Sequence, residues 1–536
     1  MKRILIKISS ITLAFALLSS CTKQFEEYPL NPNLSGEFSN VPPDYILRNV
    51  LYEVHRGGGV RDNLNGNIPE EPFQQISRWS QYQSGLTFPL YGGTNLYQWT
   101  NTASPYSMIK NLNQMEIKAE KAFGTAENPY AAVSKFIKAY AYIWYTNRVG
   151  DIPMSEAGQG TANLTPKFDT QKEVFAQCLD LLEEANDDLA KLLTNPARPA
   201  LNGDFYFNGD LNKWRRAINA FTLRVLVSLS KRADDTPDLR IKERFAAILA
   251  DNSKYPLFAS NSDQLAFKWV AVSDRPNIQF RGLYPEQTTV ASTIIDLTAG
   301  SKDPRTFVFA TPAPEKLTNG GKYDEFESYV GSPQGTPQGT LRQDAAAGKY
   351  SYPNFHRYFL NTIDKYPEPK IIIGYAEMCF NIAEGINRGW ASGDDEDWYL
   401  KGINASLDFF GAKQGSVITV ANIVGTVIYG TVTADVTTFL SHPNIDYKGG
   451  TAGLRQIIEQ KYVSFYQTGS WEPIYNYLRT GYPVFNLGTG TNSEQKIPLR
   501  WLYPPAEVQN NPNASTAISS QFGSDDVFGV MWMLKD

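Results

Sequence analysis

Aromatic rings, amides and guanidinium groups gather in two stretches punctuated by glycine and proline. The first carries Trp79, Tyr82, Phe88, Tyr91, Tyr97, Trp99 and Asn101, interrupted by Gly85, Pro89, Gly92 and Gly93; the second interleaves Trp269, Arg275, Asn277, Phe280, Arg281 and Tyr284. A flat ring offers an apolar face for stacking, worth on the order of 1 kcal/mol per pair beyond burial, while amides and guanidiniums supply directional hydrogen bonds. That combination suits recognition of sugars or proteins. Glycine and proline break regular elements, so rings held among them have less core to fill than rings on a helix. On that ground Trp79, Tyr91, Tyr97, Trp99 and Asn101, with Trp269, Arg275, Asn277 and Tyr284, are the candidate ligand contacts. The competing use of each ring is to fill a core between helices.

Other chemistries find less support. The histidines His55, His356 and His442 do not pair at metal-ligand spacing, which argues against zinc and against a histidine-based triad, and no cofactor or metal is expected. Glu26-Glu27 and Glu70-Glu71 are adjacent pairs, and neighbouring side chains diverge, so neither makes a two-carboxylate glycosidase site alone. Asp394-Asp395-Glu396-Asp397 lacks the alternation of a calcium loop and reads as a solvated helix start. Gly488-Thr489-Gly490 lacks both the lysine of a phosphate loop and the third glycine of a dinucleotide loop, and reads as a turn.

One thiol stands apart. Lys2, Arg3 and Lys7 precede a short apolar run that ends in Leu18-Ser19-Ser20-Cys21, the outline of a secretory leader too short to span a bilayer. Leu18 and two serines before a cysteine resemble a lipobox, so residues 1–20 are expected to be removed and Cys21 to be acylated as the first residue of the mature chain. A single acyl chain anchors only marginally, at roughly 0.8 kcal/mol per buried CH₂, and several chains hold far more firmly. Cys178 and Cys379 lie in apolar helical patterns and are expected as buried free thiols.

The elements that must position these groups are mainly helical. The chain has 536 residues and a formal charge of -5, which becomes -8 when Lys2, Arg3 and Lys7 leave with the leader; this balance gives nucleic acid no basic surface. Residues 21–43 are polar and rich in Asn and Pro, a lipidated tether, and residues 44–536 are expected as one globular unit. Helices are expected over 44–55 and 102–122. Val133, Phe136, Ile137, Tyr140, Ile143 and Trp144 share one helical face, as do Val174, Phe175, Cys178, Leu181, Leu182, Ala185 and Leu189, and as does the run from Trp214 through Ile218, Phe221 and Val225 to Leu229. Each apolar stripe needs a packed neighbour, which predicts a mostly α array of tetratricopeptide-like hairpins, although without a clean 34-residue period. Residues 251–370 are loop-dominated. A helix is expected over Ile371–Arg388, a hairpin within Gly415–Tyr429, a short helix over Ala434–Leu440 and another helix over Leu454–Tyr466, after which Pro473, Pro483, Pro498, Pro504 and Pro505 predict an irregular tail.

Several segments, in order, resemble the SusD/RagB family of outer-membrane nutrient-binding lipoproteins, closest to its SusD-like, starch-binding-associated branch. Residues 136–153, ending in Asn147-Arg148-Val149-Gly150-Asp151-Ile152-Pro153, resemble the family's helix with a Gly-Asp-apolar-Pro stop. Trp214, Asn219 and Arg224 resemble its Trp-Asn-Arg helix, and Tyr375-Ala376-Glu377, Ala383-Glu384 and Asn387-Arg388-Gly389-Trp390 its Tyr-Ala-Glu helix and following turn. Gln460-Lys461-Tyr462, Leu478-Arg479-Thr480-Gly481-Tyr482-Pro483, Ile497-Pro498-Leu499-Arg500 and Tyr503-Pro504 resemble its closing motifs. Gly385, where the family usually has alanine, and Leu478, where it often has arginine, depart from the pattern. The resemblance implies four tetratricopeptide-like hairpins and a loop-rich ligand-binding part. It also implies a non-catalytic lid that binds an oligosaccharide at the cell surface and hands it to a SusC-like TonB-dependent transporter. Lys23-Gln24-Phe25-Glu26-Glu27 resembles the acidic surface-export signal of such lipoproteins, which places the expected anchor on the outer face of the outer membrane. A glycoside hydrolase and a protein- or peptide-binding helical scaffold stay open as alternatives.

Overall fold

The computed structural model describes residues 41–55, 73, 75–86, 105–268, 287–358, 369–492 and 494–536. Ten helices build the body: α1 (Pro43–Val54), α2 (Pro105–Phe123), α3 (Pro129–Val149), α4 (Gln171–Leu193), α5 (Leu211–Ser228), α6 (Ile241–Ala250), α7 (Tyr375–Asn387), α8 (Asp395–Phe410), α9 (Gly450–Ser464) and α10 (Glu472–Thr480). They pack as a continuous array in which α1 lies on α2, α2 on α3, α3 on α4, α4 on α5, α5 on both α6 and α7, and α7 on α8 and α9. The array therefore passes directly from α5 to α7 although the loop-rich region separates them in sequence. This is the mostly α hairpin array expected from the apolar stripes.

Local chemistry explains the helix boundaries. Thr170 and Glu173 form a reciprocal capping box at the start of α4: the threonine hydroxyl accepts from the Glu173 N–H, and the glutamate carboxylate accepts from the Thr170 N–H. Val174, Phe175, Cys178, Leu182, Ala185 and Leu189 then form its buried stripe, each large side chain contributing about 1.5–3 kcal/mol on burial. Helix α3 opens with Pro129 behind an Asn128 cap and closes at Gly150, whose φ of 97° suits glycine and where a side chain would press on Gln521.

Among the described residues, three two-stranded antiparallel sheets accompany this body: β1 (Gln83–Gly85) with β3 (Thr288–Val290), β2 (Leu265–Phe267) with β4 (Lys370–Ile373), and β5 (Val417–Ala421) with β6 (Ile428–Thr433). Two expectations are corrected. The helix expected over Ile371–Arg388 starts only at Tyr375, because Ile371, Ile372 and Ile373 are β-branched and pair with Leu265–Phe267 before Gly374 turns the chain. The tail is not irregular throughout: α10, α11 (Pro505–Asn510) and α12 (Pro512–Phe522) all carry proline in the first turn, where its missing N–H costs nothing. Prolines there open helices rather than breaking them.

Candidate functional site

The two aromatic stretches meet the described structure at joined strands. The first leaves β1 through Leu86 and the second returns to β3 through Gln287, and the Leu86 N–H donates to the Gln287 carbonyl at 3.0 Å. Opposite residues Gln83 and Val290, Ser84 and Thr289, and Gly85 and Thr288 hold the register. Behind the strands, the Ser332 hydroxyl donates to Ser84 at 2.6 Å and lies 2.8 Å from that of Thr289. Gln81 braces the same base: its amide donates to the Asn486 carbonyl at 2.9 Å, and its oxygen accepts from Asn486 N at 2.8 Å and the Thr293 hydroxyl at 2.7 Å. At the other end of the second stretch, Phe267 in β2 stacks on His55 with ring centroids 3.8 Å apart.

Of the candidate contacts, Trp79 lies in the described structure, on the short helix Gln75–Trp79, and it is 3% exposed with its ring 5.2 Å from that of Trp471. Tyr82 is likewise core: it stacks on Tyr462 at 4.6 Å, and each hydroxyl donates to backbone carbonyls on the other's segment. Tyr91, Tyr97, Trp99, Asn101, Trp269, Arg275, Asn277 and Tyr284 lie outside the described residues, as does Cys21.

The charged residues of the motifs come together elsewhere, inside the helical body. Arg224 of α5 donates from Nε and Nη2 to the two carboxylate oxygens of Glu377 in α7, both at 2.6 Å, and from Nη2 to the Ile372 carbonyl. Arg479 of α10 grips Glu384 with both Nη groups and also reaches Asn476 and Ser230, each at 2.9 Å. Arg388 adds a second guanidinium to Glu384 at 2.9 Å. The Lys461 ammonium donates to Asn381 at 2.6 Å and Asn476 at 3.1 Å. Burial pushes the Glu384 carboxyl up, but Arg479 and Arg388 outweigh it and hold it down at about 2. Burial draws the Lys461 ammonium down to about 8 against the opposing pull of Glu384 and Glu377, and raises Glu472 despite Arg224. Arg148 is held differently, its guanidinium 3.6 Å over the Trp144 ring with Trp471 and Trp501 at 4.9 and 5.5 Å. Trp214 donates to Asp204 at 2.9 Å and Asn219 to the Pro256 carbonyl at 3.0 Å.

A cavity beside these groups, lined among others by Trp144, Arg148, Arg224, Glu377, Trp471 and Glu472, measures about 60 Å³. At ~10–15 Å³ per water it has room for a few waters and none for a sugar ring. The motif residues are thus architectural. Sequence spacing carries no sign of their pairing, since Arg224 and Glu377 are 153 positions apart.

Three local expectations are met. Cys178 and Cys379 are buried free thiols. Asp394 caps α8 by accepting from the Asp397 N–H at 3.0 Å, so the acidic run is a helix start. Gly488, Thr489 and Gly490 form a turn in which Gly490 N donates to the Gly335 carbonyl.

Residues 37–504 match the family model SusD-like, described as starch-binding and associating with the outer membrane. No curated protein sequence matches the chain. Among solved structures, a SusD homologue from Bacteroides fragilis is 28% identical with a TM-score of 0.77, the alignment covering 92% of this chain and 100% of that one. An outer membrane protein from Bacteroides vulgatus is 27% identical with a TM-score of 0.75 and the same coverage. A chitin-binding protein at 21% identity, TM-score 0.66, covering 92% of this chain and 100% of its own, shares the fold. The family match spans the helical array, both aromatic stretches and the buried ion pairs in a single run, and on it this chain belongs to the SusD-like family.

Proposed function

We propose that the chain is a lipid-anchored lipoprotein of the outer membrane surface that binds an oligosaccharide without cleaving it and delivers it to a SusC-like TonB-dependent transporter. The observation that carries this reading is the match over residues 37–504 to a family described as starch-binding and associating with the outer membrane. The joined bases of the two aromatic stretches support a shared ligand site: Tyr91, Tyr97, Trp99 and Asn101 follow β1, and Trp269, Arg275, Asn277 and Tyr284 precede β3. Trp79, buried on Trp471, is assigned to packing behind that site's scaffold. Acylated Cys21 and the tether to residue 43 supply the anchor; among the described residues no helix is long and apolar enough to cross a membrane.

Calorimetric titration with maltoheptaose and with chitohexaose tests the reading. We expect one of them to bind, and Trp99→Ala and Trp269→Ala each to weaken binding about fivefold or more with unchanged thermal stability, as loss of one stacked ring predicts. Absence of binding across a broad glycan panel, or release of shorter sugars on incubation, overturns it. Acyl mass on the N-terminal peptide at Cys21 and co-purification of a transporter test the anchor and the partner.

A further inference from the structure

The helix Ser292–Thr298 carries the exposed Asp296 between two open depressions. One, of about 450 Å³, is walled by Leu297, Ile445, Arg455, Glu459 and Val484; the other, of about 430 Å³, by Lys302, Phe326, Glu327 and Tyr329. Asp296 lines both. Each volume falls within the range of about 300–1,000 Å³ usual for small-ligand sites, in contrast to the cavity among the helices.

The two depressions repeat one chemical arrangement. In the first, Arg455 Nε donates to Glu459 at 2.7 Å and the guanidinium lies 5.6 Å over the Tyr482 ring. In the second, the Lys302 ammonium pairs with Glu327 and lies 5.1 Å over the Phe326 ring. Arg455 and Lys302 are neutralised by these carboxylates, and Lys448, which also lines the first depression, by Asp446, whereas Asp296 has no hydrogen-bond or ion-pair partner among the described residues. Partial desolvation against the helix surface pushes its carboxyl up. The excess carboxylate disfavours an acidic ligand. Hydroxyl groups would satisfy it, and the half-buried Leu297 and Phe326 and the exposed Val484 offer apolar contact on either side.

We infer that the two depressions joined at Asp296 form a track for a neutral oligosaccharide, a second binding site distinct from the aromatic stretches. The inference rests on the glycan-binding reading above. A chain of hydroxylated rings is the ligand form that fits, because it presents hydrogen-bond donors and apolar ring faces repeatedly along a line.

The test is calorimetry of the full chain with maltoheptaose and chitohexaose, comparing wild type with Asp296→Ala, with Ala452→Trp, which fills the first depression from the exposed side of α9, and with Trp99→Ala/Trp269→Ala. We expect two sites in the wild type. Asp296→Ala and Ala452→Trp should each remove one site or weaken it at least fivefold with unchanged melting temperature, and the double aromatic variant should keep that site. Stoichiometry and affinities identical to wild type in both track variants overturn the track while leaving the glycan reading intact. Loss of every site in the double aromatic variant also overturns it, and a wild type that binds neither sugar nor any member of a broad glycan panel overturns both.

Discussion

The helical body and the loop-rich side use charge in opposite ways. In the body, Arg224 with Glu377 and Arg479 with Glu384 are buried and held by two hydrogen bonds each, with Arg388 adding a further contact to Glu384. On the other side Asp296 stands exposed between two depressions, and the cations lining them are already neutralised. The residues by which the chain resembles its family are those of the body. They close helix-helix interfaces in a region whose cavity admits only water, so family membership is written in the scaffold, whereas the proposed ligand contacts lie in other segments. Variants that break the two kinds of site should separate stability from binding.

The largest effect is expected at Arg224. Glu377→Ala leaves a buried guanidinium without its bidentate partner, and breaking such a pair costs about 3–5 kcal/mol. Denaturant unfolding should show the loss, and a cost under about 1 kcal/mol would break the contrast between body and loops. Next comes Glu384. Its folded-state carboxyl is held at about 2, below its ordinary value of 4.5. The sign follows from linkage: the ion pair contributes fully above about pH 4.5, and the contribution fades as pH falls toward 2. At ~1.36 kcal/mol per unit it amounts to about 3 kcal/mol. The stability gap between wild type and Glu384→Gln should therefore be widest at neutral pH and shrink on acidification.

A smaller effect belongs to Gly385. The departure from alanine there has a structural counterpart, because a side chain at 385 would lie 2.1 Å from the Phe245 ring, which is fully buried and set edge-on to Trp390. Gly385→Ala gains up to about 1 kcal/mol in helix propensity but overpacks the α6–α7 contact, at about 1–3 kcal/mol. Net destabilisation is expected, and adding Phe245→Leu should recover part of it. Additive losses in the double variant would show that the ring does not set this position.

What the sequence alone discloses divides along the same line. Helices such as α4 are legible because a stripe from Val174 to Leu189 and the Thr170–Glu173 box are local signals. Ile371–Ile373 reads as helix because an apolar run has no period, and its strand partner lies over a hundred residues earlier. The tail prolines mislead for a related reason: the residue that forbids a helix interior favours its first turn, and the sequence does not say which position it holds. Pairings such as Arg224 with Glu377 and Phe245 with Gly385 are set by helix packing and leave no spacing to read. Of the proposed binding site, composition and glycine content pick out the aromatic stretches, while the packing of Trp79 and Tyr82 becomes visible only once Trp471 and Tyr462 are beside them. The Asp296 track draws on residues from distant segments and has no sequence signature at all.

The smallest effect sharpens the contrast from the acidic side. Three of the four residues from Asp394 to Asp397 already have protein partners: Asp394 accepts from the Asp397 N–H, Asp395 from the Tyr447 hydroxyl at 2.6 Å and the Asn387 amide at 3.0 Å, and Asp397 from Lys401 at 2.6 Å. Their charge also sits at the positive end of α8. Asp394→Ala should cost about 1 kcal/mol, the usual worth of an N-cap, and Asp394→Asn close to nothing, since asparagine caps equally well. Lys401→Ala, which breaks a half-exposed pair, should cost less than either buried variant by several-fold. If the run instead held calcium, the melting temperature would rise with added calcium and fall with chelator, and Asp394→Asn would be the costly variant. A helix start predicts the reverse ranking and no calcium dependence, because Asp394 already closes the first turn, Asp395 holds α8 to α7 through Asn387, and Asp397 is paired with Lys401.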